Sequence, residues 1–272
     1  MVKVKKISIG LLMFVVCALL VLFLLRQNDN TYRAESHYRD EIELKFANNF
    51  ISYIIKDKEV MSFNIFGVQN IENNDSSLTN LISSVEFNNP NINIVDYQVD
   101  TGIVYEGYKL VNIIVSAEVL TNNVEKADQL LIQFNNEDVK AFDIGNIIVQ
   151  NDILYQNQHL EPKGNYTAGY PSLSLDVNIK NKTANKISPS KIYDLTENIS
   201  YQFDKSFEFQ PNGGRHIQIN NFTMKSKETP DFMTITPILL YTLEGESYLY
   251  NMPGVIYGIL DSDTDKIKKM IE

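Results

Sequence analysis

The sequence predicts a mainly β protein with an N-terminal transmembrane helix, in which an α+β membrane-proximal region precedes an antiparallel β-sandwich. Three observations lead to this fold class. Residues 7–25 form an unbroken apolar run, and residues 31–58 place aromatic and aliphatic side chains at intervals of four. From residue 91 onward, apolar residues alternate with polar ones, which is the pattern of half-buried strands.

The N-terminal apolar run is long enough to cross a bilayer. Its 19 residues would span about 28 Å as a helix, close to the ~30 Å of a hydrocarbon core. Three lysines precede the run and one arginine follows it. The positive-inside rule therefore places the N terminus in the cytoplasm and the C-terminal domain outside, in a single-pass topology. The anchor includes Ile7, Leu11, Leu12, Phe14, Leu19, Leu20, Leu22 and Leu25.

Two other interpretations of this run involve cleavage. A secretory signal peptide has a shorter apolar core that ends at a small-residue cleavage site. A lipoprotein signal would instead use Cys17 as the acylated residue. Seven further apolar residues follow Ala18, and Val16 is a poor residue to precede an acylated cysteine. The sequence therefore favours an anchor that is retained.

The rest of the chain is acidic and has no cysteine. Of 24 Lys+Arg and 34 Asp+Glu, four basic residues and no acidic residue lie within residues 1–26. The remainder therefore has a formal charge of −14, which repels nucleic acid and anionic headgroups and suits a metal ion or a cationic partner. The one cysteine lies in the anchor, so the exported part depends on its core alone.

Two helices are predicted before the strands begin. The first covers residues 31–58, although the alternation at residues 42–46 leaves a short strand as the alternative there. The second covers residues 76–85. The apolar face of the first helix consists of Tyr38, Ile42, Phe46, Phe50 and Ile54.

Strands separated by turns are predicted from residue 91. The alternation is clear at residues 111–119 and 130–134, and a turn is predicted at residues 100–102. Residues 156–171 are polar and contain Pro and Gly, so they are predicted to separate two β-rich regions. The clearest alternation follows at residues 173–180. The later strand candidates are residues 199–203, 207–209, 217–219, 233–243 and 248–250.

Three segments of the C-terminal half, LDVNIKNKTANKISPSKIYDL, FEFQPNGGRHIQI and ITPILLYTL, resemble immunoglobulin-like sandwich domains of bacterial exported lipoproteins. The resemblance covers residues 171–252 and is one of layout, since the usual Pro-Gly pair is replaced here by PNGG. It implies an immunoglobulin-like fold and an exported setting, and the family has no shared catalytic residues. The matching positions are Asn181, Tyr193, Asp194, Pro211, Gly213 and Tyr241.

No motif in the sequence specifies a reaction. The three histidines, His37, His159 and His216, have no His or Cys partner at metal-ligand spacing, and each is expected to face solvent. The sequence has no HExxH, G-x-S-x-G or P-loop motif. We therefore expect a protein that is not an enzyme. A group of tyrosines near residues 241–257 is an alternative partner-binding edge.

One arrangement near the C terminus matches part of a calcium loop. Asp261, Asp263 and Asp265 occupy positions 1, 3 and 5 of that loop, and Glu272 falls at position 12. Position 6 should be Gly and is Lys266. The favoured interpretation is a terminal helix capped by an aspartate, with acids in its first turn and lysines in its last. No cofactor is expected, and calcium is the alternative.

These observations together favour a membrane-anchored, extracytoplasmic binding or assembly protein of the bacterial cell envelope. Its partners would be the lipid bilayer, through the N-terminal helix, and a protein of the envelope. The alternatives are a sensor or ligand-binding protein for a metal or cationic ligand, and a carboxylate-based envelope enzyme. The predicted regions are the cytoplasmic stub and anchor (1–26), a juxtamembrane helical region (27–90), a β-rich domain (91–160), an immunoglobulin-like sandwich (171–260) and a terminal helix (261–272).

Overall fold

The β structure predicted from residue 91 onward begins much earlier, at Leu44, in the computed structural model of the chain. The structure describes residues 42–56, 59–71, 77–135, 138–151, 159–165, 167–168, 173–226, 230–257 and 264–271. All the elements below belong to one of the two units into which the chain divides, Glu43–Glu272. Within the described residues the protein is mainly β, with several largely antiparallel sheets and little helix.

The elements lie before, within and after the polar segment of residues 156–171. Those before it are β1 (Leu44–Phe46), β2 (Asn49–Ile55), β3 (Met61–Asn70), α1 (Leu78–Leu81), β4 (Ile82–Phe87), β5 (Ile92–Tyr105), β6 (Tyr108–Val119), β7 (Glu125–Phe134) and β8 (Val139–Asn151). Within it lie β9 (Leu160–Pro162) and β10 (Thr167–Ala168). Those after it are β11 (Leu175–Asn181), β12 (Ile187–Tyr193), β13 (Ile199–Gln202), β14 (Gly214–Ile219), β15 (Thr223–Met224), β16 (Phe232–Ile235), β17 (Ile238–Leu243), β18 (Glu246–Asn251), β19 (Val255–Tyr257) and α2 (Thr264–Ile271).

Two sheets pack face to face in the N-terminal half. Sheet 1 has the strand order β1-β3-β6-β5, and sheet 2 has the order β19-β16-β2-β8-β7-β4. The rings of Phe63 on sheet 1 and Phe87 on sheet 2 stack with centroids 6.1 Å apart. Phe46 and Phe142 make a second contact between the sheets at 5.6 Å. Aromatic side chains of both sheets therefore contribute to the core between them.

Two further sheets enclose the core of the C-terminal half. Sheet 3 has the order β10-β11-β14, with β9 also paired to β11, and sheet 4 has the order β15-β13-β12-β17-β18. Leu175, Val177 and Ile179 of β11 are buried, as their alternation predicts. They belong to the same buried cluster as Ile187, Ile192, Ile199, Leu239, Tyr241 and Leu243 of sheet 4.

Sheet 2 includes strands from both sides of the polar segment. Strand β16 pairs in parallel with β2, in the register Phe232 to Asn49, and β19 extends the sheet beyond β16. Phe50 of β2 and Ile148 of β8 are part of the C-terminal buried cluster. The two sandwiches therefore share a continuous sheet and side chains of one core.

The C-terminal helix α2 also contacts N-terminal elements. Its Ile267 and Met270 are buried against Ala47 and Val68. The ammonium of Lys45 donates a hydrogen bond of 3.2 Å to the carbonyl of Ile271. The predicted terminal helix is confirmed over Thr264–Ile271, and its apolar face packs on the N-terminal half.

The helix predicted over residues 31–58 is wrong in its described part. Residues 44–46 and 49–55 form β1 and β2, so the strand left as the alternative at residues 42–46 is the observed structure. Strand β2 lies between two parallel neighbours and buries six of its seven residues, so it shows no alternation. A spacing of four also fits a strand, because four is a multiple of the strand period of two.

The helix predicted over residues 76–85 and the turn predicted at residues 100–102 both differ from the structure, because strand pairing is irregular at these positions. The helix predicted over residues 76–85 is limited to α1, and β4 follows it at once. A register shift near Ile82 lets Ile82 and Val85 both face the core, three residues apart, which imitates a helical spacing. The turn predicted at residues 100–102 lies within β5, where a second register shift occurs.

Most later strands agree with their predictions. The alternating segments at residues 111–119 and 130–134 lie in β6 and β7. Residues 233–243 form two strands, because Pro237 lies between β16 and β17. Residues 207–209 make only an isolated bridge, from Phe209 to Ile187.

Candidate partner-binding groove

Two sheet edges lie side by side at one border of the N-terminal sandwich. Strand β4 is the last strand of sheet 2 and pairs with β7, while β5 is the last strand of sheet 1 and pairs with β6. The chain passes from one sheet to the other through the four residues 88–91, which we call the corner. Because an edge strand has one side without a strand partner, its backbone can pair with another chain.

A groove of about 500 Å³ runs between these two edges. At one end lies Pro90 of the corner. At the other end the hydroxyl of Tyr97 donates a hydrogen bond of 3.2 Å to the carbonyl of Ile82. We call this the edge groove, and its lining consists of Ser83, Ser84, Val85, Glu86, Phe87, Pro90, Ile92, Asn93, Ile94, Val95, Asp96 and Tyr97.

The corner is held in place by a buried carboxylate. Glu125, 8% exposed, accepts hydrogen bonds from Thr121 Oγ1 at 2.5 Å and from the side-chain amides of Asn89 at 2.9 Å and Asn91 at 3.2 Å. The bonds from Thr121 and Asn89 lower the pKa of Glu125, against the opposing effect of burial. A second bond of 2.6 Å joins Asn88 to Asp128. The end of the groove is therefore preformed.

The groove strand β5 exposes apolar side chains. Among the described residues, three of the seven large apolar side chains that are exposed lie on β5: Val95 (47%), Ile103 (41%) and Val104 (55%). Helix α1 covers the edge between them, since Thr79 Oγ1 donates a bond of 3.3 Å to the Val99 carbonyl. The stretch of β5 that borders the groove is therefore residues 92–97. Exposed aliphatic side chains on an edge strand are typical of an interaction surface.

The groove carries negative charge from both of its walls. Glu86 is exposed on β4 and Asp96 is exposed on β5. Neither forms an ion pair with another residue that the structure describes, and residues 82–105 contain no lysine or arginine. The lining of the groove therefore contributes two acids and no basic residue, which makes its potential negative.

Three acidic side chains of the C-terminal half, in contrast, form ion pairs with lysines. Glu161, Glu197 and Glu208 each lie within 3.3 Å of a lysine ammonium. These pairs neutralise their own surfaces at short range. The unbalanced acids of the edge groove thus stand apart from acids that belong to local ion pairs.

The predicted metal ligands are not brought together within the described structure. Asp261 and Asp263 lie outside the described residues, and Asp265 is part of α2 with a side chain that the structure does not describe. The residues that are described include no cluster of three or more His, Cys, Asp or Glu side chains placed to hold a metal.

The predicted anchor residues also lie outside the described part: Ile7, Leu11, Leu12, Phe14, Leu19, Leu20, Leu22 and Leu25. The two helices in the part that the structure describes are too short to cross a membrane.

Two residues of the family resemblance have structural roles. Asn181 and Asp194 are fully buried. The Asn181 amide donates to the carbonyls of Asn185 and Gln210 at 2.8 and 3.1 Å. The Asp194 carboxylate accepts bonds from the backbone N–H groups of Thr196 and Ile199 at 2.9 and 2.7 Å. Both buried side chains are satisfied by bonds to the backbone of turns, as a core polar residue must be.

Two members of the tyrosine group considered as a partner edge are core residues, and the side chain of a third, Tyr257, lies outside the described part. Tyr241 and Tyr250 are 1% and 2% exposed. His159 Nδ1 lies 2.9 Å from the Tyr241 hydroxyl, and its ring meets that of Tyr248 edge to face at 4.6 Å. His159 is therefore a packed residue, whereas His216 is half-exposed and pairs with Asp176 at 2.6 Å.

Sequence reasoning missed the edge groove, although one signal for it was present. The stretch without lysine or arginine at residues 82–105 coincides with the two edge strands. Its meaning depends on the topology, because only the strand order shows that β4 and β5 are the outer strands of different sheets.

Comparisons with known proteins identify no family for this chain. No protein-family model matches the sequence, and no curated protein is similar to it. Among solved structures, the D0-D1 domain of Intimin aligns with 80% of this chain and 99% of its own length, at 8% identity and a TM-score of 0.22. At this score the likeness supports no conclusion about fold or function.

Proposed function

We propose that this chain is a membrane-anchored, extracytoplasmic binding or assembly protein of the bacterial cell envelope, without catalytic activity, and that its partner binds at the edge groove. The observation that carries the proposal is the pair of adjacent sheet edges with exposed aliphatic side chains and unbalanced acids. Surfaces with these properties pair with other chains more readily than they support chemistry.

The location is part of the proposal. The apolar run at residues 7–25, with lysines before it, supports a retained anchor with the β domains outside. The acidic remainder would be repelled by anionic lipid. It would then present the edge groove to soluble or membrane-bound partners rather than lie on the bilayer.

The immunoglobulin-like character of the C-terminal sandwich is also proposed. Its support is the layout of residues 171–252 together with two largely antiparallel sheets around one core. Asn181 and Asp194, two residues of that layout, fasten turns of this sandwich. Such a domain would serve as a rigid support for the groove-bearing half, since the two halves share sheet 2.

A sensor of a metal or a small cationic ligand is the second candidate. It rests on the spacing of Asp261, Asp263 and Asp265. Isothermal titration of the full chain with Ca²⁺ tests it, because a site of this kind releases or absorbs heat on binding. A titration without heat removes this candidate and leaves the partner-binding proposal intact.

The partner-binding proposal is tested by site-specific photo-crosslinking in native membranes. A photoreactive amino acid replaces Val95 in the groove, and a matched one replaces Glu246, which is exposed on sheet 4. We expect one defined partner to be captured from position 95 and not from position 246. Equal capture from both positions, or none from either, would reject a groove-directed binding function.

A further inference from the structure

We propose that the occupant of the edge groove is an extended, lysine- or arginine-bearing segment of another protein, which adds to β5 as a new antiparallel or parallel strand. This inference rests on the proposed function and names the chemistry of the partner. It combines three features of the described residues: an edge without a strand partner, an apolar side chain on that edge, and acids on both walls.

The dimensions fit a short strand. The part of β5 that borders the groove covers residues 92–97 and includes a register shift between Ile94 and Asp96, so at roughly 3.3 Å per residue it provides at most about 20 Å of edge. The bond from Tyr97 to Ile82 limits the groove at one end, and Pro90 lies at the other. A segment of about six residues would therefore fill it, with backbone hydrogen bonds providing affinity and side chains providing specificity.

The charges specify the side chains of that segment. Glu86 lies on β4 and Asp96 on β5, so a strand placed between them has a carboxylate on each side. Opposite charges on neighbouring strands stabilise the pairing and like charges oppose it. Val95, nearly half-exposed, adds an apolar contact. The preferred segment therefore alternates apolar residues with lysine or arginine.

The same charges argue against a second copy of this edge as the occupant. Two β5 strands that paired with each other would bring two sets of acids together, with no basic residue in residues 82–105 to balance them. Charged side chains on an edge are a common protection against such self-pairing. Here the protecting charges are carboxylates, so they repel another copy of the edge and attract a cationic strand.

The test uses the full 272-residue chain in neutral detergent micelles and synthetic eight-residue peptides that carry a fluorophore. The first peptide alternates valine with lysine and threonine. In the second, glutamate replaces lysine. In the third, two prolines replace two valines, which keeps the charge and prevents strand pairing. Fluorescence anisotropy measures the Kd, and hydrogen exchange measures protection of the amides at residues 92–97.

Two protein variants with the same change in charge complete the design. Glu86→Lys with Asp96→Lys reverses the groove, and Asp204→Lys with Glu246→Lys reverses two exposed acids of the C-terminal half. We expect the lysine peptide to bind wild type and the second variant within twofold, and the groove variant at least about tenfold more weakly. Thermal melts that match wild type show that the groove variant is folded.

The inference is overturned by equal binding of the lysine and proline peptides, by equal weakening from both double variants, or by a dimer of the chain cross-linked through the photoreactive residue at position 95. If no peptide binds while position 95 still captures a partner in membranes, the basic extended segment is rejected and the proposed function stands. If position 95 captures nothing, the proposed function fails as well.

Discussion

The side-chain amide of Asn89 donates a hydrogen bond of 2.9 Å to the carboxylate of Glu125, 36 residues further along the chain. Through this bond the corner between the two edge strands is fixed to the start of β7. The edge groove therefore has one end whose position is set by the core of sheet 2 and does not depend on a partner.

Glu125→Ala should lower the free energy of unfolding by about 2 kcal/mol, because three donors lose a charged acceptor and one of them belongs to the corner. Glu125→Gln should cost less, since its carbonyl oxygen still accepts a bond. Urea denaturation at pH 7 measures both. Glu246→Ala, an exposed acid, is the matched control and should change stability by less than about 0.5 kcal/mol.

The contribution of Glu125 should also depend on pH. Its pKa lies below the ordinary value of 4.5, so the unfolded chain binds the proton first as pH falls. The stabilisation is then fully present above pH 4.5 and is lost as pH falls through the folded-state pKa. The difference in stability between wild type and Glu125→Gln should therefore shrink as pH falls below 4.5. A constant difference would contradict this assignment.

Asn181→Ala should destabilise the C-terminal sandwich by about 2 kcal/mol, because it removes a fully buried side chain that donates to the carbonyls of Asn185 and Gln210 and accepts a bond from the Thr183 N–H. Asn178→Ala removes an exposed amide from the same strand and serves as the control, with an expected change below about 0.5 kcal/mol. Comparison of the denaturant midpoints of Asn181→Ala and Asn178→Ala tests this prediction. Similar midpoints would mean that the turn satisfies its carbonyls in another way.

Tyr241 should make the protein sensitive to alkali. Burial, followed by the neighbouring Tyr248, raises the pKa of Tyr241 from 10.0 to about 12. The unfolded chain loses this proton first as pH rises, so the stabilisation is present below pH 10 and is lost as pH approaches 12. Thermal melts of wild type and Tyr241→Phe should converge over this interval. Melting curves that stay parallel would show that Tyr241 ionises as it does in the unfolded chain.

Gly145→Ala should be one of the most damaging substitutions in sheet 2. Its φ is +86°, and an added Cβ would lie 2.1 Å from the Asn49 carbonyl oxygen on the neighbouring strand. We expect a loss of about 3 kcal/mol or more. Gly164→Ala has a similar φ of +77° but no atom within 4 Å of the added Cβ. It should lower the free energy of unfolding by about 1 kcal/mol. The difference between the losses in the two variants then measures the cost of the steric clash.

The sequence predicted strands well where one face is buried and poorly where both are. Strand β11 shows its alternation openly because its polar side chains face solvent. Strand β2 has neighbours on both sides and is buried on both faces, so its apolar residues fitted a helix equally well. Strand β4 was predicted as helix because the register shift beside Ile82 places two core residues three positions apart, as in a helix.

The candidate groove could not be predicted from local pattern. Glu86 and Asp96 are ten residues apart and lie on strands of different sheets. Their shared position at one border depends on β5 forming a hairpin with β6, while β4 pairs with β7, which follows two further strands along the chain. Composition alone could indicate only that the stretch has no basic residue.

The parallel pairing of β16 with β2 has a consequence for biosynthesis. Asn48 and Asp231, which are joined by a backbone-to-carboxylate hydrogen bond beside this pairing, are 183 residues apart. Synthesis proceeds from the N terminus, so β2 leaves the ribosome long before β16, the strand that pairs with its edge. Pairings across such distances form slowly and leave apolar edges exposed in the meantime. A chain truncated before residue 232 would lack β16 and leave an edge of β2 unpaired. The folding of its N-terminal half would therefore be impaired as well as that of its C-terminal half.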